Sequence, residues 1–137
     1  MPEFPDITLY IESLRPRIVG HPLLKVRLAS PFVLRSVDPP IAAVEGKRIS
    51  GLRRIGKQIV WQFEDDLFLV FHLMIAGRFH WKKPGAKAAG KIGLAAFDFP
   101  EATMLLTEAS SKKRASLHVV QGEAKLAQFN RGGIEIL

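Results

Sequence analysis

The sequence predicts a mainly β protein, built as a two-layer β-sandwich with an N-terminal α-helix. Three observations lead to this class. Helical apolar spacing is confined to the start of the chain, and several short strand-like segments follow it, separated by turn signals. The chain has 137 residues, of which 47% are hydrophobic, and this is enough for one domain with its own core. Short strands at regular intervals are typical of sandwiches, and a single helix can pack against them.

The predicted helix rests on three apolar residues. Ile7, Ile11 and Leu14 are spaced four and three residues apart, which places them on one helical face. Pro5 fits the first turn, where its missing N–H donor costs nothing. Pro16 is expected to end the helix, because a proline inside a helix removes a hydrogen bond and clashes with the preceding turn.

The predicted strands have either alternating or continuous apolar residues. In chain order they are residues 24–28, 59–63, 67–73, 78–81, 94–99, 104–107 and 116–120. Residues 82–91 contain four lysines among glycines and alanines, so we expect a mobile, solvated loop there. We therefore expect a sandwich domain over residues 1–120, with residues 121–137 as the start of a linker to a domain missing from this sequence.

The composition favours some partners and argues against others. Lys and Arg number 20 against 13 Asp and Glu, a formal net charge of +7, which favours a polyanion such as nucleic acid. There is no cysteine, and the four histidines lack the spacing of metal ligands, so we expect no metal site. The apolar runs are too short to span a bilayer and the N-terminus is acidic. We expect a monomer without membrane association, located in the cytoplasm with the nucleoid.

The chain opens Met1-Pro2-Glu3, which places a potential nucleophile at its start. Removal of Met1 would leave Pro2 with a free secondary amine that is partly unprotonated at neutral pH. Such an amine can attack an electrophilic carbon and form an iminium, with Glu3 beside it as an acid or base. A proline near a terminus often only starts a helix, so this motif carries little weight alone.

Two further motifs lie among the predicted strands. Residues 53–57 (Arg-Arg-Ile-Gly-Lys) put three cations around one glycine, which predicts Lys57 at a hairpin tip. A lysine in this position is usually a solvent-exposed charge, but on a basic surface it can also neutralise a phosphate. His72 interrupts an apolar strand, where it is either a core histidine or a ligand contact.

Three segments together resemble the N-terminal domain of the formamidopyrimidine-DNA glycosylase and endonuclease VIII family. They are residues 1–6 (Met-Pro-Glu-Phe-Pro-Asp), residues 53–57 with the apolar strand after them, and residues 72–77 (His-Leu-Met-Ile-Ala-Gly). The resemblance implies a bifunctional base-excision repair enzyme. Such an enzyme flips an oxidised base out of double-stranded DNA, removes it and nicks the strand at the abasic site.

The resemblance assigns catalysis to Pro2, Glu3 and Lys57. Pro2 would attack C1′ of the sugar, Glu3 would protonate the ring oxygen, and Lys57 would bind the phosphate beside the lesion. The residues implied in DNA binding are Asp6, Arg54, His72, Met74, Ile75, Lys112, Lys113 and Arg114. Asp6 replaces the usual glutamate. Ile75, preceded by Met74, stands where better-known members have a methionine that fills the space left by the flipped base.

The chain also departs from the family pattern. Residues 107–116 replace the Asp-Pro-Arg-x-Phe-Gly wedge loop and contain no aromatic residue, so the preferred lesion and opposite base do not carry over. Family members also have a helical C-terminal domain that usually carries a zinc finger; we expect no cofactor in this chain, and any zinc in that missing domain. One alternative is a non-catalytic nucleic-acid-binding module of the same fold. Tautomerases also use an N-terminal proline, but their short βαβ pattern does not fit consecutive strands.

Overall fold

Two four-stranded antiparallel sheets pack face to face in the computed structural model. The structure describes residues 4–30, 33–36, 38–73, 77–87, 93–108 and 115–130. The helices are α1 (Phe4–Ile18) and α2 (Glu123–Ala127), and the strands are β1 (Lys25–Leu28), β2 (Ile49–Ile55), β3 (Gln58–Phe63), β4 (Leu67–His72), β5 (Gly77–Lys82), β6 (Gly93–Asp98), β7 (Thr103–Glu108) and β8 (Ser116–Gln121). The strand order is β1-β6-β7-β5 in the first sheet and β2-β3-β4-β8 in the second. The predicted fold class is confirmed.

Helix α1 packs its apolar face against the sandwich. Ile11, Leu14 and Ile18 are buried, which continues the predicted stripe by one turn. The prediction that Pro16 ends the helix is wrong, because α1 continues to Ile18. Pro16 removes one backbone hydrogen bond from the last turn, and the complete burial of Ile18 stabilises that turn in its place. Within the described residues, no helix is long and apolar enough to cross a membrane.

Trp61 lies at the centre of the core between the two sheets. Its ring centroid is 4.6 Å from that of Phe71 on the same sheet, and 5.2 Å and 6.1 Å from those of Phe97 and Phe79 on the other. Edge-on and tilted ring contacts at these distances are favourable. This rigid interior fixes where the strands end, and the strand ends carry the candidate site.

The outer face of the second sheet is also covered in part. A second apolar cluster is buried there, formed by Val60, Phe68, Val70, Val120 and Leu126. Leu126 belongs to α2, so β3 and β4 are buried on both faces along most of their length. Part of the predicted linker therefore packs on the sandwich, while the division at residue 120 stays a prediction.

Residues 85 and 86, in the described part of the lysine-rich loop after β5, are hydrogen-bonded to the first sheet, while the predicted mobility of residues 82–91 as a whole stays a prediction. Gly85 donates its N–H to Thr103 Oγ1 at 2.9 Å, and Arg27 Nη2 donates to the Ala86 carbonyl at 2.7 Å. Asp98 joins these two anchors, since it accepts from Thr103 Oγ1 at 2.7 Å and from Arg27 Nε at 2.8 Å. Hydrogen bonds to strand side chains therefore satisfy backbone groups of this glycine-containing segment.

Candidate active site and nucleic-acid interface

Several strand ends meet at one end of the sandwich, which we call the site end. β4 ends at His72, which pairs with Gln58 of β3 on one side and Ser116 of β8 on the other. In the first sheet, β5 begins at Gly77, which pairs with Glu108 at the end of β7. The short connection between β4 and β5 links the two sheets here. The candidate side chains therefore come from both layers.

Helix α1 begins at the site end. β5 runs away from that end, and α1 contacts it at two points. The ring of Tyr10 lies edge-on to that of Phe79, with centroids 5.6 Å apart, and further along both elements the Arg17 guanidinium lies 5.5 Å from the Trp81 ring. The helix therefore runs in the same direction as β5, and its first turn lies towards the site end.

Lys57 lies at the tip of the β2–β3 hairpin, as predicted from the sequence. The two-residue turn Gly56-Lys57 lies between the paired residues Ile55 and Gln58. Gly56 has φ of 58°, and a positive φ at the first turn position alone is typical of a type II′ turn, which favours glycine there. Arg54 Nη1 lies 3.4 Å from the Gly56 carbonyl oxygen. Lys57 is exposed, so its ammonium is available to an anion at the site end.

His72 is half-buried close to this turn. Burial lowers the pKa of His72, and the positive charge of Lys57 lowers that pKa further. Because the ordinary value is about 6.5, the imidazole is neutral at physiological pH and offers one donor and one acceptor. A fixed cation beside a neutral donor suits the oxygens of a phosphate ester.

Gln58 lies directly beside this pair and was not singled out from the sequence. It is 4% exposed, and its Oε1 has no hydrogen-bond partner among the described residues. Buried acceptors of this kind are uncommon and cost stability. The signal in the sequence was a polar residue at the first position of an apolar strand.

The connection between β4 and β5 is closed very tightly. The N–H of Gly77 donates to the Leu73 carbonyl at 2.8 Å. A Cβ at Gly77 would lie 2.2 Å from that oxygen, so only glycine fits without a backbone shift. Three residues, 74–76, span this closure, and the candidates Met74 and Ile75 are among them but lie outside the described residues.

The connection between β7 and β8 has an acidic residue at its base. Glu108 is 1% exposed, and its Oε1 accepts a hydrogen bond from the Ala115 N–H at 3.1 Å. This contact joins the two ends of a basic loop. A carboxylate at the end of an apolar strand was the sequence signal, and it was overlooked.

The structure thus brings together three of the predicted residues: Arg54, Lys57 and His72. Asp6 lies in the first turn of α1, where only the backbone is described. The remaining predicted residues lie outside the described ones; they are Pro2, Glu3, Met74, Ile75, Lys112, Lys113 and Arg114. Over the described part of the chain, no group of three or more potential ligand side chains is placed to hold a metal ion.

The comparisons of this sequence with known proteins all point to the same family. Residues 1–118 match the formamidopyrimidine-DNA glycosylase N-terminal domain. The formamidopyrimidine-DNA glycosylase of Mycoplasma genitalium is 27% identical over 133 residues, covering 96% of this chain and 46% of that protein. The Lactobacillus gasseri enzyme of the same name is 29% identical over 123 residues, covering 88% of this chain and 44% of that protein. The chain therefore spans about half the length of these curated relatives.

Solved structures show the same fold. The Lactococcus lactis formamidopyrimidine-DNA glycosylase, non-covalently bound to DNA containing an AP site, superposes with a TM-score of 0.81 at 21% identity, over 93% of this chain and 48% of that one. A complex of the Lactococcus lactis enzyme with DNA containing Fapy-dG superposes with a TM-score of 0.83 at 21% identity, over 93% and 47%.

Proposed function

We propose that this chain, which belongs to the formamidopyrimidine-DNA glycosylase family, is the N-terminal catalytic domain of a base-excision repair glycosylase with abasic-site lyase activity on oxidised bases in double-stranded DNA. The observation that carries the proposal is the arrangement of the site end. The start of α1, the exposed Lys57 and the neutral His72 all face one end of the sandwich. Attack on a sugar requires a nucleophile close to groups that bind the flanking phosphates.

The reaction begins, in this proposal, with the amine of Pro2 after Met1 has been removed. The amine attacks C1′, the bond from C1′ to the base breaks, and the base leaves with a proton. Glu3 protonates the ring oxygen as the sugar opens, which gives an iminium between Pro2 and C1′. Loss of a proton from C2′ then expels the 3′ phosphate and nicks the strand. The resemblance of residues 1–6 to the family motif supports these roles.

Lys57 binds the phosphate beside the lesion, and His72 and Arg54 bind adjacent backbone oxygens. The exposure of Lys57 and its electrostatic effect on His72 support this assignment. Phosphate contacts position the strand and do not read its sequence. These residues therefore set the register of DNA at the site rather than the choice of lesion.

The two loops at the site end act on the flipped nucleotide. Met74 and Ile75 fill the space that the base leaves, and the resemblance of residues 72–77 to the family motif supports this role. Lys112, Lys113 and Arg114 add positive charge against the backbone of the duplex, and Asp6 orients the start of α1. Extrusion of a nucleotide costs a few kcal/mol, so both loops are needed to hold it.

The other half of the protein supplies the second wall of the DNA cleft. Since this chain spans about half of its relatives, we propose that it folds alone but binds duplex DNA weakly, with a dissociation constant of roughly 10⁻⁴ to 10⁻⁶ M, and does not turn over. Among the described residues no group of three or more potential ligand side chains could hold zinc, and the sequence contains no cysteine. Any zinc belongs to the other half. The protein acts as a monomer at the nucleoid.

Borohydride trapping on abasic duplex DNA tests the proposal. A form with Met1 removed, extended to the length of its relatives, should be trapped covalently, while the same form with Met1 retained should not. Pro2→Gly should keep a trappable primary amine at altered yield. Glu3→Gln should bind DNA while losing base release, because it keeps the shape of the side chain but cannot donate a proton.

Two results would contradict the proposal. Trapping at full yield with Met1 retained would remove Pro2 from the mechanism. Salt-dependent DNA binding by a protein that is not trapped, with or without Met1, would favour the non-catalytic binding module. This module is the main alternative because residues 107–116 lack the aromatic wedge.

A further inference from the structure

A third basic group faces outward beside His72, on the neighbouring strand. His72 is paired with Ser116 of β8, and His118 lies two residues further along β8, on the same face. Diagonal neighbours of this kind are within reach of each other across an antiparallel pair. His118 is only partly buried, although its ring contacts Phe129 edge-on with centroids 5.2 Å apart.

A short segment extends the second sheet beyond β8 and adds an arginine to this face. Leu34 forms a parallel bridge with Leu117 and packs into the core. The N–H of Arg35 donates to the Leu117 carbonyl at 2.9 Å, and Ser36 Oγ accepts from the backbone N–H of β8 at 2.8 Å. Because successive side chains alternate between faces, Arg35 points outward, and it is exposed.

These groups influence one another electrostatically. Burial lowers the pKa of His118, and the charges of Arg35 and then His72 lower it further. Burial and then the charge of Lys57 lower the pKa of His72. Among the described residues, no carboxylate is a cause of either shift. The acidic residue of α2, Glu123, is bound to Arg53 instead.

We propose that Arg35 and His118 continue the phosphate-binding surface that begins at Lys57 and His72. Four groups then cross the outer face of the second sheet in one row, from the β2–β3 turn to residue 35. Three inter-strand steps of about 4.8 Å make this row roughly 14 Å long, enough for more than one phosphate of a nucleic-acid backbone. The proposal rests on the proposed function for the identity of the polyanion as duplex DNA.

Fluorescence anisotropy of the 137-residue chain with a labelled duplex containing an abasic-site analogue tests this surface. Titrations between about 50 and 200 mM salt give the dependence of log affinity on log salt. Arg35→Gln should reduce this slope by about one unit and weaken binding about three- to tenfold at the lowest salt. Lys83→Gln is the matched control, since it removes the same charge from an exposed position beyond the far end of β5, and it should leave the slope within error.

His118→Gln tests the imidazole separately. The affinity of the chain should rise as the pH falls from about 7 to about 5, because His72 and His118, whose pKa values lie below the ordinary value of about 6.5 in the free chain, gain a proton there when they face a phosphate. His118→Gln should reduce this rise. His80→Gln is its control, because His80 lies on the first sheet and its Nε2 is 2.9 Å from Thr107 Oγ1; it should preserve the rise. Thermal unfolding of each variant reports whether the fold is intact.

A Lys57→Gln arm separates this inference from the proposed function. If Lys57→Gln reduces the salt slope while Arg35→Gln and His118→Gln match their controls, the extended surface is wrong and the proposed function stands. If Lys57→Gln also leaves the slope unchanged, the phosphate-binding role of the site end fails as a whole. The extended surface is supported if Lys57→Gln and Arg35→Gln both reduce the salt slope and His118→Gln reduces the rise of affinity at lower pH.

Discussion

Replacing Gly77 with alanine should destabilise the protein by about 2–4 kcal/mol. The added Cβ would lie 2.2 Å from the Leu73 carbonyl oxygen and 2.9 Å from the carbonyl carbon and Cα of the same residue. These are backbone atoms, which cannot rotate away as the tip of a side chain can. The β4–β5 connection must therefore move by roughly 1 Å to approach an ordinary contact distance.

The magnitude comes from two contributions. Movement of the connection stretches the 2.8 Å hydrogen bond from the Gly77 N–H to Leu73, and loss of such a bond costs about 1 kcal/mol. Forcing an extra methyl group into a packed site costs a further 1–3 kcal/mol or so. For a domain of this size each kcal/mol lowers Tm by roughly 3–4 °C, so we expect a fall of about 6–16 °C.

Thermal and urea unfolding of matched alanine variants measure the effect. Gly51→Ala is the control, because a Cβ there has no atom within 4 Å and Gly51 does not have a positive φ. This control should change the free energy of unfolding by less than about 0.5 kcal/mol. Equal stabilities for the two variants would refute the argument that the connection is closed too tightly for a side chain.

Three further predictions concern the core, an ion pair and the candidate site. Asp98→Asn should cost about 1 kcal/mol at neutral pH, because its arginine partner holds the pKa of Asp98 below the usual value and both side chains are partly exposed; in urea unfolding this difference should begin to shrink as the pH falls below about 4 and vanish only below the lowered pKa of the folded state, and a difference that does not depend on pH would contradict this. Trp61→Ala should cost about 3–5 kcal/mol, while Trp61→Phe should cost much less, since it also removes a buried N–H that lacks a partner among the described residues; equal costs in denaturant unfolding would contradict this. Lys57→Gln should raise the pKa of His72 in an NMR titration without restoring its ordinary value, because burial is the larger cause; an unchanged pKa would show that the two groups are not close.

The fold could be predicted because its main signals are local. Alternating apolar residues at 59–63 and a continuous run at 67–73 both became strands of the second sheet. Strand β2 was missed, since Gly51 interrupts its pattern where the pairing register with β3 shifts. Pro16 was misjudged because the burial of Ile18 is a tertiary effect that local propensity does not include.

The candidate site was predictable only where a motif carried it. Lys57 and His72 were found through their resemblance to the family, and the structure adds that they lie close enough for one to shift the pKa of the other. His118 and Arg35 could not be found in this way. They reach His72 only through strand pairing, and the pairing register of distant segments is not encoded in short-range spacing.

The charges at the two ends of β3 differ in sign, since Lys57 precedes the strand and an acidic turn follows it. The acidic turn Glu64–Asp66 lies at the far end of β3, about 20 Å from the site end by the length of that strand. Two other cations are paired with carboxylates: Lys47 with Asp65 of that turn, and Arg53 with Glu123 on the outer face of the second sheet. No carboxylate among the described residues pairs with Lys57. On a chain with a net charge of +7, we expect this difference to orient a polyanion, because the acidic turn repels it at the far end while Lys57 attracts it at the site end.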